Sequence, residues 1–369
     1  MTVANDSRRR DGRRTALARL GGLLALPLLS RAAAGVSPPV PAPTGCRIRF
    51  PADEGSHPAF RTEWWYVTGW LDADDGALGF QITFFRTRLD RRDRNPSRFT
   101  PGQILIAHAA ISDPREGRLV HDQRVARAGF DIVAAAEGRL DVRLDRWTLR
   151  AADGGYEARI PGTAFDLDLR LAPTQAPLLN GRDGYSRKGP SARSASCYYS
   201  QPHLRVEGTL RRSGRAAPVR GTAWLDHEWS SDYVEEGAVG WDWTGLNLAD
   251  GGALMAFRMR AADGSTVWAG GTWRSPDGRS RVFAPDEIAW EPGRRWRSPH
   301  TGTEYPVVWR LRAGPLALDI VPLMDDQEND TRASTGTIYW EGAVRALQDG
   351  RELGRGYLEL TGYWRPLVL

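Results

Sequence analysis

Lysine and cysteine are almost missing from this 369-residue chain: Lys188 is the single lysine, and Cys46 and Cys197 are the only cysteines. With no CxxC pair and no paired Cys/His spacing, a structural zinc site is not expected. A G-x-x-x-x-G-K-[ST] phosphate loop is missing too, and "GYSRKG" (184 to 189) does not make the G-x-S-x-G turn that presents a serine nucleophile. Neither a metal nor a cofactor is expected. The near absence of lysine reads as genomic base composition rather than mechanism. In an oxidising compartment Cys46 and Cys197 could form one disulfide, tying the amino terminus of the mature chain to a distant loop. Two buried free thiols are the alternative, since sequence does not show how close the two Cα atoms come.

Residues 1–34 read as an export signal. Arg13 and Arg14 lead into "TALARLGGLLALPLLS", and small residues follow, which is the layout of a basic region, a short apolar region and a cleavage site near Ala34. The apolar run is too short to cross a bilayer. Paired arginines before Leu17 resemble a twin-arginine signal, with an ordinary secretory signal as the alternative. A periplasmic or secreted location is expected. "PTGC", ending at Cys46, is similar to a lipoprotein cleavage box but lies well beyond the apolar region. Seven of the 50 basic and two of the 45 acidic residues fall within 1–34, which leaves 43 of each sign. A neutral mature chain lacks the basic stripe that nucleic-acid binding requires.

Beyond the signal no amphipathic helix of three turns stands out. "FDLDLRL" (165 to 171) and "LDVRL" (140 to 144) alternate apolar and charged residues, as half-buried strands do. Turn signals such as "ADDG", "AADGG" and "SPDG" separate such runs. Residues 65 to 78 ("WYVTGWLDADDGAL") laid without a gap over 241 to 254 ("WDWTGLNLADGGAL") match at Trp65/Trp241, Thr68/Thr244, Gly69/Gly245, Gly76/Gly252, Ala77/Ala253 and Leu78/Leu254. "VEGTL" (206 to 210) followed by Gly221 and "WEGAV" (340 to 344) followed by Gly356 form a second related pair. An internal repeat of this kind implies two domains, at 35–235 and 236–369, with the boundary in "YVEEGA" (233 to 238). The Gly/Ser/Arg-rich stretch 180 to 196 reads as a loop that could lid a barrel mouth.

Alternate side chains of a strand share a face. In "GTAWLDHEWSS" (221 to 231), Thr222, Trp224, Asp226 and Glu228 therefore point one way, and Ala223, Leu225, His227 and Trp229 the other. Two carboxyls that close, beside an indole and away from water, do not both ionise cheaply, so one pKa is expected to rise. A carboxyl protonated near neutrality is the general acid that an unactivated substrate needs. The competing reading has both acids ionised and satisfied by arginine or indole donors. His227 reads as a structural hydrogen-bonding residue rather than a ligand, because Asp-His-Glu in sequence splits across two faces. In "HPAFRTEWWYVTGWL" (57 to 71), Glu63, Trp65 and Val67 share one face, and Trp64, Tyr66 and Trp70 the other, so one face packs and one lines a cavity. Tyr185, Tyr198, Tyr199 and His203 are further candidates for a lid or wall.

These stretches, with "AHAAISD" (107 to 113), "YYSQPHL" (198 to 204), "GWDW" (240 to 243) and "GYLELTGY" (356 to 363), resemble in order the AttH-like secreted "hydrolases", relatives of bacterial carotenoid 1,2-hydratase. The resemblance implies an all-β protein of two tandem lipocalin-like β-barrels. It also implies that Asp226 protonates an isolated alkene and that water captures the carbocation; the pairing of the two carboxyls adds the expectation that Glu228 tunes the acid. The hydratase motif has Tyr two residues before that Asp where this chain has Trp224, a loss of one hydroxyl donor. The expected ligand is a hydrophobic isoprenoid or lipid-like molecule bound by Trp65, Trp224, Tyr199, Tyr185, His203 and Trp241, with peripheral membrane contact possible. A non-catalytic carrier of the same fold and a carbohydrate-binding or esterase-like secreted protein are the competing readings.

Overall fold

The computed structural model describes residue 40 and residues 43–74, 76–89, 102–128 and 132–367. The export signal read over residues 1–34 lies outside them. The described residues form one compact unit. Among the described residues, regular structure is β-strand apart from two short 3-10 turns, Ala52–Glu54 and Pro285–Glu287. Alternation dictates this locally: in Phe165–Pro173 the side chains of Phe165, Leu167, Leu169 and Leu171 are buried while Asp168 and Arg170 face solvent. Each such apolar side chain contributes roughly 1.5–3 kcal/mol when fully buried.

The strands form two lipocalin-like antiparallel sheets. In the first, the opening strand Thr62–Ala73 pairs with its hairpin partner Gly76–Arg88 on one side and with the closing strand Arg215–Ser230 on the other. The sheet then continues through Ala195–Arg212 and Phe165–Pro173 to Asp141–Leu144, which approaches Gln103–Ser112 and Leu119–Arg127 at the opposite end, so the wall is nearly closed. The chain passes to the second sheet between Ser230 and Ala238. There Ala238–Leu248 again lies between its hairpin partner, Ala253–Ala261, and a closing strand, Arg351–Leu360. Each wall encloses its own apolar core, around Trp65 and Trp147 in the first sheet and around Trp309 and Trp340 in the second. The glycines of the second repeated pair mark close backbone approaches: a Cβ on Gly221 would meet the Trp70 carbonyl oxygen at 1.9 Å, and one on Gly356 the Gly245 oxygen at 1.9 Å.

The repeated hairpins occupy equivalent places but differ in register by one residue. Ala77 pairs with Asp72, whereas the aligned Ala253 pairs with Asn247, one short of the position aligned with Asp72. A one-residue slip turns every side chain of a strand to the other face. Trp65 therefore enters the core of the first barrel, while the aligned Trp241 faces away from the second. The outward faces are themselves apolar and pack against each other, Tyr66, Trp70, Tyr198 and Trp224 meeting Trp243, Met255, Phe257 and Tyr357. The Trp70 indole donates to the Gly356 carbonyl across this interface at 3.1 Å. Residues 180 to 196 do not hang over a barrel mouth: Tyr185–Arg187 pairs with Ala195–Arg212, the Gly181 N–H donates to Thr272 Oγ1 at 3.0 Å, and the Trp268 indole donates to the Arg187 carbonyl at 3.0 Å.

Cys46 and Cys197 are joined in a disulfide that closes a sequence separation of 151. A Cys46→Ser/Cys197→Ser double variant is expected to lose about 2–4 kcal/mol of stability, as cross-links that restrict the unfolded chain do. The urea midpoint measures this, and an unchanged midpoint contradicts it.

Candidate functional site

The meeting of the two outward faces is incomplete, and a cavity of about 610 Å³ remains between the sheets, a size typical of ligand sites. The first sheet supplies Trp64, Tyr66, Phe85, His108, Asp226 and Glu228 to it; the second supplies Trp241, Trp243, Phe257, Met259, Glu341 and Glu359. Strand parity and register bring the carboxyls there. Asp226 lies opposite Tyr66 on one neighbouring strand and Ser200 on the other, and Glu228 opposite Trp64 and Tyr198.

Asp226 is buried and surrounded by donors. Its Oδ1 accepts from Ser200 Oγ at 2.5 Å and from the Trp224 indole N–H at 2.6 Å, and its Oδ2 accepts from the Tyr198 hydroxyl at 2.6 Å. Asn180 Nδ2 donates to Ser200 Oγ at 2.7 Å, and the Trp243 indole donates to Tyr198 Oη at 3.0 Å, so both hydroxyls are aimed at the carboxyl. Burial raises the Asp226 pKa to about 7, against the opposing pull of those three hydrogen bonds, and the charge of Glu228 adds to the rise. Glu228 differs in having a counter-ion: Lys188 Nζ lies 2.9 Å from its Oε1, and the Ser196 hydroxyl donates to the same oxygen. The lysine is itself buried, 4.2 Å from the centre of the Phe257 ring and 4.8 Å from that of Tyr198. Trp224, although it lacks a hydroxyl, is itself a donor to Asp226 through its indole N–H.

The other expected site residues divide. Trp241 lines the cavity. Trp224 lies behind it, packed over Gly245, where a Cβ would stand 2.9 Å from the indole. Trp65 and Tyr199 are corrected: both point into the first barrel, Trp65 stacked on His227 with ring centres 4.7 Å apart and Tyr199 edge-on to the same ring at 5.4 Å. Tyr185 lines a separate, smaller cavity of about 310 Å³ with Trp268 and Phe257. His203 is a strap between the sheets, its N–H donating to Asn247 Oδ1 at 2.9 Å and its Nε2 lying 2.8 Å from the Gly252 carbonyl oxygen.

Lys188, Glu341 and Glu359 are functional candidates that the sequence reading passed over. The uniqueness of the lysine was the available signal for one, and an acid set inside the apolar runs "YWEGAV" and "YLELTGY" for the others.

Among the described residues, His57, Glu63 and His227 form the one group whose ligand atoms lie close enough together to hold a metal ion, all within 4.8 Å. Their arrangement fits a hydrogen-bonded network instead. Glu63 accepts from the His57 N–H at 2.9 Å, from Ser56 Oγ at 3.1 Å and from Arg86 Nε at 2.7 Å, with His57 Nδ1 at 2.7 Å and His227 Nε2 at 3.0 Å. Burial pushes the Glu63 carboxyl up, but hydrogen bonds from both histidines and the charges of His227 and Arg86 outweigh it and hold the acid well below the usual range. Burial lowers the His227 pKa to about 4.

Comparison with known proteins bears on the whole arrangement. Residues 41–363 match the AttH-like family. The crystal structure of a candidate AttH from Nitrosomonas europaea is 51% identical and superposes with a TM-score of 0.82 over 88% of this chain and 99% of that one. Kievitone hydratase from Nectria haematococca is 14% identical with a TM-score of 0.65, over 89% and 99%. CghA, solved with Sch210972, is 12% identical with a TM-score of 0.51, over 87% and 94%; these last two likenesses are of fold. A stretch of 124 residues is 29% identical to part of the malate synthase of Haloferax volcanii, covering 30% of this chain and 27% of that enzyme. So short a share of that enzyme carries no functional argument.

A folded pKa above the unfolded value means that Asp226 favours folding while protonated and opposes it once the unfolded chain ionises. Its contribution is full below about pH 4, the unfolded pKa, and is lost as pH rises through its folded pKa of about 7. The stability of Asp226→Asn relative to the native chain is therefore expected to improve by about 3–4 kcal/mol between pH 4 and pH 8, at roughly 1.4 kcal/mol per unit. Urea melts at the two pH values measure this, and a difference that stays flat with pH contradicts it.

Proposed function

From the premise that the chain belongs to the AttH-like family, we propose that it is an exported hydratase that adds water to an isolated carbon–carbon double bond of a hydrophobic, isoprenoid or lipid-like molecule held between the two sheets. The observation that carries this reading is Asp226, a carboxyl kept protonated near neutrality in an aromatic cavity with three donors already in place for its conjugate base.

The steps follow from that geometry. The acid proton of Asp226 passes to one alkene carbon, the π pair forms the new C–H bond, and the adjacent carbon becomes cationic. The Ser200, Trp224 and Tyr198 donors then bind the carboxylate more strongly than they bound the acid, as differential stabilisation requires. The aromatic rings of Tyr66, Trp241 and Trp243 line the cavity in which the positive charge would develop. Water adds to the cation, and the proton it sheds restores Asp226. Lys188 balances Glu228, so the proton of the Asp226–Glu228 pair resides on Asp226. Kievitone hydratase, a protein named for adding water, shares the scaffold, and fold by itself does not choose a reaction. The Cys46–Cys197 disulfide supports an oxidising, extracytoplasmic location.

Mass spectrometry of an organic extract of the purified protein identifies the bound molecule, which is then incubated with the protein in H2(18)O. A product heavier by one labelled water is expected. Asp226→Asn is expected to retain the ligand and to lose turnover by ~100-fold or more, the usual worth of a general acid. Ligand retention without turnover in both proteins identifies a carrier and overturns the hydratase reading.

A further inference from the structure

The cavity wall opposite Asp226 carries a second pair of acids that the hydration scheme leaves unused. Glu341 and Glu359 are direct partners on the neighbouring strands Ile338–Gln348 and Arg351–Leu360. Like charges set directly across a sheet repel. Burial raises the pKa of both, and for Glu359 the charge of Glu341 adds to the rise. Neither carboxyl has an ion pair among the described residues, and the cavity's lysine is engaged by Glu228 on the other sheet.

Two further observations show that this wall awaits a polar partner. Glu341, only 2% exposed, makes no well-aligned hydrogen bond at Oε2, and neither does the hydroxyl of Tyr66, 6% exposed and facing the same cavity, although Tyr66 lies near enough to draw the Glu341 pKa down against burial. The neighbouring Tyr339 hydroxyl does not fill the need. Ser334 Oγ donates to Gln123 Oε1 at 2.7 Å and so accepts from His108 Nε2 at 2.9 Å, which leaves His108 Nδ1 to accept the Tyr339 proton at 2.9 Å. Asn329 Nδ2 occupies the Tyr339 oxygen at 3.2 Å. The Tyr339 proton is thus directed to His108, and Tyr339 and Asn329 act on Glu341 only by drawing its pKa down against the larger effect of burial.

We propose that Glu341 and Glu359, with the Tyr66 hydroxyl and the faces of Trp241 and Trp243, form a cation subsite that takes a protonated amine at the end of an apolar chain. A hydroxyl would satisfy the poorly bonded oxygen, but an ammonium group also stabilises the ionised form of the pair, which no ion pair within the described residues does, and it is attracted by the neighbouring indole rings. The subsite rests on the reading of this cavity as the ligand site, and does not require that hydration occur there.

Isothermal titration calorimetry at pH 7 with N,N-dimethyldecylamine, decanol and decanoate tests this with one chain length and three headgroup charges. The amine is expected to bind at least tenfold more tightly than the alcohol, and decanoate more weakly than either. Glu341→Gln/Glu359→Gln is expected to abolish the preference for the amine while leaving alcohol binding unchanged. Asp226→Asn is expected to keep the preference, which separates failure of this subsite from failure of the hydratase reading. Retained alcohol binding, with a cooperative thermal melt, reports that the double variant is folded. Equal binding of amine and alcohol, no binding of the amine, or a preference that survives in a folded double variant overturns the proposal. Should the double variant fail to fold, Tyr66→Phe, expected to weaken the amine severalfold and the alcohol not at all, decides in its place.

Discussion

Desolvation of one carboxyl governs this structure. Asp226 is excluded from water because the outward faces of two barrels, which in an isolated barrel would be wet, are apolar and pressed together. Three hydrogen bonds pull its pKa down, and burial still prevails, leaving it near 7. A wetter cavity would return the acid to its ordinary range, and a site without donors would strand the carboxylate once its proton had gone. Both conditions follow from where the sheets meet. The strand Ala195–Arg212 brings Tyr198 and Ser200 beside the acid, and the second sheet supplies the Trp243 indole that orients Tyr198.

Glu63 shows that burial alone does not make an acid. It lies three residues before Tyr66, the cross-strand neighbour of Asp226, and is as thoroughly buried. Its side chain points to the other face, however, where Arg86 supplies a positive charge and two histidine rings supply hydrogen bonds. The result is a carboxylate held ionised, a structural tie between the amino-terminal segment and the barrel wall. Two adjacent strands thus hold two buried acids whose pKa values move in opposite directions, separated by strand parity. The sequence pattern assigned those faces correctly for Asp226 and Glu228.

How much was legible follows from the range of the forces involved. Alternation is local, so the all-β fold could be read from segments such as 165 to 171, and the repeat from its glycines and tryptophans. Which face meets which is a long-range property. The cavity expected inside a barrel lies between the two, and Trp65 and Tyr199 turn inward to pack on His227. The gapless match of Trp65 with Trp241 misled for a definable reason, since the second hairpin pairs one residue out of register with the first. Lys188 joins the site from an earlier loop and the Glu341–Glu359 pair from more than a hundred residues beyond Asp226, and only a unique lysine and acids set in apolar runs hinted at them.

The central claim is that Asp226 titrates near neutrality, so that a large fraction keeps its proton at pH 7. A 13C NMR titration of protein labelled at the aspartate carboxyl carbons, compared with Asp226→Asn, addresses it without knowledge of the substrate. The account predicts a single resonance, missing from the variant, that titrates near pH 7. An Asp226 resonance that titrates near the ordinary value of about 4 would contradict it and make the carboxyl a structural hydrogen-bond acceptor.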